Sequence, residues 1–523
     1  MIKTIKKGEM TNLVADIPYV QEPIAFYQKY KSNKNSLLLM TAEVNSKKKQ
    51  KSIILLAASL KITATQNNIL LSPLGPNGKN LLSAVSPELE RTYSFKYQDD
   101  NLCLLLNTEK KFSDEFQRLK EQGPFSPLRE ILSGIKCLDN KQDFFIAGNF
   151  SFDLIETFEE LPKVPPSETH CPHYTLYVSE LLVEVSHQTQ KSRLKASLFG
   201  GEFFENSYYD ISRKMQSIQK ETLKDSLTLP SESIAIPAEQ NYQVDISDSE
   251  FAQKVMTIKD KIIDGDIFQA VLSRTFTMKC PDALQAFAHL VELNPSPYMF
   301  FMQDQDFSLF GASPESALKY NADERKVEIY PIAGTRKRHI NQFGKVDREL
   351  DGRVELEMRM NHKEVAEHIM LVDLARNDIA KISKPGSSFV DPLMKVDRYQ
   401  RVMHLVSQVQ GTLREDLDAL HAYQATMNMG TLTGAPKISA ISIVRTLEGK
   451  DRGPYGGGVG YINGRGDMDT CIVIRSAFVK NNLAHVQAGA GIVYDSDPID
   501  EAQETRDKAY SVLKALGAGD AHV

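Results

Sequence analysis

Two pairs of glutamates repeat one spacing. Glu364 and Glu367 lie in NHKEVAEHIMLVDLARND, and Glu501 and Glu504 in DPIDEAQETRDKA. Residues three apart share a helix face, and both stretches read as helical. Asn361 caps the first, while Asp497 followed by Pro498 gives the second a cap and a first-turn proline. Such spacing is usually a solvated face. Here the faces continue into Leu371 and Leu374 in one helix and Lys508 and Val512 in the other. Carboxylates turned toward packed groups need cations or donors. Two such helices at one cleft would offer oxygen ligands suited to Mg²⁺, with water and a substrate carboxylate completing the shell.

Three glycine-rich stretches come later: MGTLTGAPK (429–437), YGGGVGY (455–461) and QAGAGIV (487–493). None is a P-loop or a dinucleotide fingerprint. Each alone reads as a strand bend or bulge. Together with Tyr455, Arg475 and Lys508 they can hold a second carboxylate, because glycine lets backbone N–H groups approach an anion. Arg475, in CIVIRS, falls among apolar strand residues. A substrate carboxylate or a structural salt bridge would each explain its cost there.

The elements that must position these groups are legible in outline. Residues 1–221 mix strand-like runs (52–64 and 175–185) with polar loops, and 222–246 read as a linker. Residues 247–515 form the sharper region, and 516–523 a tail. Phe251, Val255, Ile258 and Ile262 have helical spacing, closed by Gly265. IFQAVLSRTF, FSLFGAS, KVEIYPIA, CIVIRSAFV and AHVQAGAGIV read as strands, with helices from Asn361 and from Asp497. Strands and helices mix without strict alternation, so an α+β fold with large, mostly antiparallel sheets is expected.

Composition narrows the function. Over 523 residues, Lys+Arg 62 against Asp+Glu 68 leaves a net charge of -6, which excludes the basic footprint of a nucleic-acid binder. The longest apolar run, near Ile53 to Leu60, is too short for a bilayer, and MIKTIKKGEM leads into no signal-peptide core. The five cysteines are scattered without C-x-x-C spacing, so neither disulfides nor zinc is expected, and a cytoplasmic location fits.

Ten segments in order, DGDIFQAVLSR, NPSPYMFFM, FGASPES, YPIAGTR, HKEVAEHIMLVDLARND, VDRYQRVMHLVS, MNMGTLTGAPK, YGGGVGY, DTCIVIRS and QAGAGIV…EAQETRDKA, resemble the chorismate-utilising enzymes. The resemblance is greatest to the anthranilate synthase component I family. It implies two orthogonal β-sheets with helices outside and an active site in the cleft between them. It also implies conversion of chorismate and ammonia to anthranilate and pyruvate, with Mg²⁺ held by Glu364, Glu367, Glu501 and Glu504, partly through water. Thr335 and the turns at Gly334, Thr431 and Gly434 would assist at the ring carboxylate. Tyr455, Arg475, Lys508 and the backbone at Gly489 and Gly491 would hold the enolpyruvyl carboxylate. Glu315 resembles the general acid that protonates the departing C4 hydroxyl, for which burial raises a carboxyl pKa in the required direction. His404 matches the histidine associated with pyruvate loss. The absence of tryptophan suits a protein needed when tryptophan is scarce.

Two positions separate relatives. Isochorismate- and salicylate-forming enzymes carry lysine where Gln269 stands, a base that water needs and ammonia does not. Ala333 cannot attack the ring as the lysine of aminodeoxychorismate synthases can. No cysteine has the G-x-C-x-G setting of a glutaminase, so the resemblance implies a separate glutamine amidotransferase subunit. It also implies a tryptophan-inhibitor pocket from Leu39, Met40, Thr41, Lys51, Pro297, Tyr298, Met299, Val459, Tyr461, Asp469 and Cys471. The family's L-L-E-S there reads Leu38-Leu39-Met40-Thr41. Losing the acid at Met40 predicts weaker inhibition by roughly 1.5–3 kcal/mol. An enzyme stopping at the aminated 2-amino-2-deoxyisochorismate, or a catalytically silent scaffold, are the alternatives.

Overall fold

Strand patterning in the first half sets up one side of the molecule. In the computed structural model, the described residues are 5–30, 33–42, 49–107, 114–225, 240–339, 346–398 and 402–519. The side chains of Glu115, Thr335, Lys337, Lys363 and Val402 also lie outside that set. The strands β1 (Ser36–Ala42), β2 (Lys49–Thr65), β3 (Phe145–Phe150) and β4 (Tyr174–Ser186) are buried on both faces along most of their length. β2 pairs with both β1 and β4. Its register against β4 shifts repeatedly between Leu55 and Leu60. Bends of this kind let one strand serve two packed sheets.

The second half adds the catalytic elements. Helix α1 (Asp248–Ile263) opens with a capping box from Ser247 and Glu250 and buries Phe251, Val255 and Ile258. It is followed by Gly265 at φ 83°. Strands β5 (Gln269–Lys279) and β6 (Tyr298–Gln303) come next. The short β7 (Ile332–Lys337) precedes α2 (His362–Ile382), and β8 (Val402–Val406) pairs back on β7 in a separate three-stranded sheet. After α3 (Lys437–Glu448) come β9 (Gly458–Asn463), β10 (Met468–Ile472), β11 (Ser476–Lys480) and β12 (Leu483–Ile492). The last helix is α4 (Pro498–Ala515).

The two halves are not separate bodies. β9 pairs with β3, and β6 pairs with β1. Hydrogen bonding joins 23 described strands into one network that carries both sheets, with helices packed outside. The linker is shorter than 222–246: a helix, Phe204–Asp225, runs into it, and Gln243–Val244 pairs with β5. Residues 226–239 lie outside the described set. The tail from 516 is partly packed. Leu516 and Ala518 are buried, and Gln240 N–H donates to Gly517 O at 2.9 Å. Both departures have one cause: apolar side chains at the edges of the linker and tail find the core.

Two expected strands are broken. KVEIYPIA becomes Lys326–Ile329 and β7, because Pro331 cannot donate to a ladder. CIVIRSAFV becomes β10 and β11, with Arg475 in the break at φ 49°. Arg475 is therefore a connection residue, not a strand residue.

Candidate active site

Glu315 sits in the turn after the strand Ser308–Ser313, which Ser313 closes by accepting the Glu315 N–H at 3.3 Å. Its carbonyl accepts from Ile472 N at 3.0 Å, so two elements fix its backbone. Thr431 Oγ1 donates to Glu315 Oε1 at 3.2 Å. Burial pushes this carboxyl up to about 8, against the opposing pull of Thr431, the Ile332 N–H, Lys508 and Arg475. Glu315 thus holds its proton at neutral pH.

Beside it, Arg475 is half-buried and faces Tyr455, Glu504 and Glu315 electrostatically. Burial lifts Tyr455 to about 12, and Arg452, Arg475 and the Gly489 backbone act the other way. A Cβ added at Gly489 would lie 3.1 Å from the Tyr455 hydroxyl, so only glycine leaves this strand flush with the phenol. Lys508 Nζ donates to Gly489 O at 3.0 Å and pairs with Glu504 Oε1 at 2.5 Å. Burial raises the Glu504 carboxyl, but Lys508, a hydrogen bond with Glu501 and Arg475 outweigh it and hold it below the usual range.

Across the cleft, Gln269 begins β5, where it pairs with Ala435, and its neighbour Ala270 pairs with Gly434. Its Nε2 donates to Glu367 Oε1 at 3.2 Å. Its Oε1 is buried without a hydrogen-bond partner among the described residues. A Cβ at Gly491 would meet both Gln269 Nε2 at 3.0 Å and Glu367 Oε1 at 3.2 Å. Glu364 pairs with Arg336, and its Oε2 lies 3.1 Å from where a Cβ of Gly334 would stand. Gly334 O accepts from His404 Nδ1 at 3.3 Å. Burial, opposed by that bond and reinforced by Arg475, lowers His404 to about 4, so the imidazole is neutral. The side chain of Thr335 lies outside the described residues.

Glu367 approaches Gly491, and Lys508 joins Glu504 to Gly489 two residues along β12; His404 bonds Gly334 O beside Glu364, and Arg475 acts electrostatically on Glu504, Glu315 and His404. Each carboxylate pair thus has one member near β12. Among the described residues, no three acids, histidines or cysteines gather closely enough to hold a metal ion by themselves. The donor set is nonetheless all hard oxygen, and glycines keep side chains out of the space before Glu364 and Glu367. This fits an ion completed by water and substrate oxygen.

The second predicted cluster forms on strand parity. Leu39, Tyr298, Tyr461, Val459 and Cys471 meet in one apolar layer, and Thr41 and Lys51 pair across β1 and β2. Pro297 O accepts from Ala42 N at 3.1 Å. Tyr298 donates to Asp469 Oδ1 at 3.1 Å, and burial raises the Asp469 carboxyl while Lys319, Tyr298 and Lys51 counter it. Met40 and Met299 are corrected. Their side chains point the other way, into the opposite layer with Leu38 and Phe301, because successive strand residues alternate faces. The acid lost at position 40 thus bears on that opposite layer, and Thr41 is the change on the pocket face.

Two residues escaped the sequence reading. Arg336 faces Glu364, and its place in YPIAGTR was the available signal. Arg452 is buried, donates to Leu432 O and Val271 O at 2.7 Å each, and lies 5.8 Å from the Tyr455 ring. Its sequence setting, DRGPYGGG, gives no hint of a buried clamp.

Comparison with known proteins gives the family. The family described as chorismate binding enzyme matches residues 89–514. Anthranilate synthase component 1 of Vibrio parahaemolyticus is 46% identical over 99% of this chain and 95% of its own length. That of Escherichia coli is 44% identical over 98% of each chain. The crystal structure of anthranilate synthase component I from Streptococcus pneumoniae superimposes with a TM-score of 0.66 at 28% identity, covering 88% of this chain and 92% of that one.

Proposed function

Because the chain belongs to the chorismate binding enzymes, and within them to the anthranilate synthase component 1 family, we propose that it converts chorismate and ammonia to anthranilate and pyruvate in two steps. The observation that carries this reading is a carboxyl held protonated to about 8 in the same cleft as a neutral imidazole and an amide. Arg475, Tyr455 and Lys508 bind the enolpyruvyl carboxylate as a charge-assisted set. Glu315 gives its proton to the departing C4 hydroxyl, which leaves as water. Gln269 orients ammonia for C2: its Nε2 is committed to Glu367, so its Oε1 accepts an ammonia N–H. His404, donating through Nδ1 to Gly334 O, presents an unprotonated Nε2 that takes the C2 proton as pyruvate departs and the ring aromatises.

Glu364, Glu367, Glu501 and Glu504 would hold Mg²⁺. When bound, it supplies charge neutralisation for the ring carboxylate. Ammonia would come from a separate glutamine amidotransferase subunit, and the apolar layer around Leu39, Tyr298 and Tyr461 would take tryptophan as an inhibitor.

The test is the product formed by the purified chain from chorismate, Mg²⁺ and an excess of ammonium salt at pH 7 to 8, where Glu315 keeps its proton, read by fluorescence and mass. Anthranilate supports the proposal. An accumulating aminated intermediate limits the chain to the first step, and unchanged chorismate overturns catalysis altogether.

A further inference from the structure

Arg274 stands in the middle of β5, on the face opposite Gln269, and its side chain is fully buried. Its guanidinium lies between two rings, 5.0 Å from the Phe251 centroid and 5.4 Å from that of Phe276. All three of its nitrogens donate. Nε donates to Thr505 Oγ1 at 2.8 Å and Nη2 to Ala502 O at 2.7 Å, both on α4. Nη1 donates to Asp248 Oδ1 at 2.6 Å and to Ile246 O at 3.1 Å, at the start of α1. Asp248 also receives Arg506, from α4, at 2.9 and 3.0 Å.

Each α4 acceptor directly follows a member of the carboxylate pair: Ala502 follows Glu501, and Thr505 follows Glu504. A slip of α4 by one residue would move Glu501 and Glu504 by about 1.5 Å and turn them by about 100°. Near the carboxylate pair α4 contributes the small Ala502 to the packing with Ala490 and Ile492, while Val512, Leu513 and Leu516 anchor its far end in the larger core. A forked cation bonded to one carbonyl and one hydroxyl of the helix permits a single register. A hydrophobic side chain between Phe251 and Phe276 would avoid the desolvation cost of a buried charge but would lose this registration.

We propose that Arg274 is a positioning residue for the Glu501–Glu504 pair, locking α4 in register against β5, the strand that carries Gln269. It acts through the helix and touches no reacting atom. The inference rests on the reading that this pair serves a divalent ion.

The test compares the full-length wild type with Thr505→Val, Thr505→Ser, Arg274→Lys and Arg274→Met. Mn²⁺ binding is followed by electron paramagnetic resonance without turnover, Mg²⁺-dependent anthranilate formation with ammonium salt, and melting temperature separately. Thr505→Val removes one acceptor of the fork and keeps the side-chain shape. It is expected to raise the half-saturating Mn²⁺ concentration about tenfold, as loss of an outer-sphere partner does, with kcat recovered at saturating Mg²⁺. Thr505→Ser keeps the oxygen and should restore wild-type affinity. Arg274→Lys, with a single donor group, should fall further than Thr505→Val. If Arg274→Met does not fold, the Thr505 pair still decides. Wild-type affinity in Thr505→Val, with only its melting temperature lowered, would overturn the inference and leave Arg274 a stabilising residue alone. A wild type that binds no Mn²⁺ would instead overturn the metal reading itself, and the positioning role with it.

Discussion

The cleft and the apolar layer around Leu39 are built from the same sheet network by opposite rules. In the cleft, ionisable side chains range from the buried Glu315 to the half-buried Arg475 and Lys508, held by backbone groups or facing charges, and glycines open the space between them. In the layer, strand parity sorts the residues, and Asp469 is held by a tyrosine hydroxyl with lysines nearby. The cleft spends folding stability on groups that do chemistry, whereas the layer gains stability from most of what lines it. Substitutions in the first should therefore act steeply on rate, and those in the second should act mildly or on stability.

Glu315→Gln tests the steep side. Losing the proton donor should cut anthranilate formation by about 10²- to 10⁴-fold. Stability should move the other way. The native carboxyl binds its proton more tightly than the unfolded one, 8 against 4.5, so its presence destabilises the fold progressively as pH rises between those values. The glutamine variant should therefore melt higher than wild type, most clearly above pH 8. Wild-type turnover at saturating chorismate should fall as pH rises through about 8, when Glu315 loses its proton. A basic limb well away from that region would remove Glu315 from the acid role.

His404→Gln comes next. Amination should continue while pyruvate loss slows by about 10²-fold or more, so mass spectrometry should find the aminated intermediate accumulating. Equal slowing of both steps would argue that His404 only packs β7 against β8. Arg475→Lys should be milder, raising the KM for chorismate about 10- to 100-fold through the loss of one charge-assisted contact. An unchanged KM would assign this half-buried cation to structure.

The layer should respond least in function. Met40→Ala should cost ~2–5 kcal/mol of stability, measured by denaturant unfolding, and leave tryptophan inhibition unchanged, since Met40 packs with the opposite layer. Thr41→Ser removes one methyl on the pocket face and should shift the inhibitory tryptophan concentration by about fourfold, from ~0.8 kcal/mol. A reversed pattern, with inhibition tracking position 40, would erase the distinction drawn here.

Much of the cleft could be read from residue order because its parts are local. A capped helix with acids three apart displays them on one face, so Asn361 and Asp497 identify both carboxylate pairs without any knowledge of the fold. The strand QAGAGIV likewise announces close approach through its glycines. Arg475 was misplaced because apolar neighbours mimic a strand, and only the break between β10 and β11 reveals its φ of 49°. Met40 was misplaced because a motif match carries no parity. Parity depends on which face of β1 meets which layer, a fact held by β2 and β6 rather than by the motif itself.

Residue types and their spacing along the chain were enough to determine the family and the helices that carry the paired glutamates, since caps, periodicity and ordered motifs are properties of neighbours. The tertiary structure decided what those residues experience. Burial by distant strands sets the charge state of Glu315 and His404, and a guanidinium from β5 fixes the height of α4. Dielectric surroundings and helix register arise only when segments hundreds of residues apart are packed together, and no local pattern encodes them.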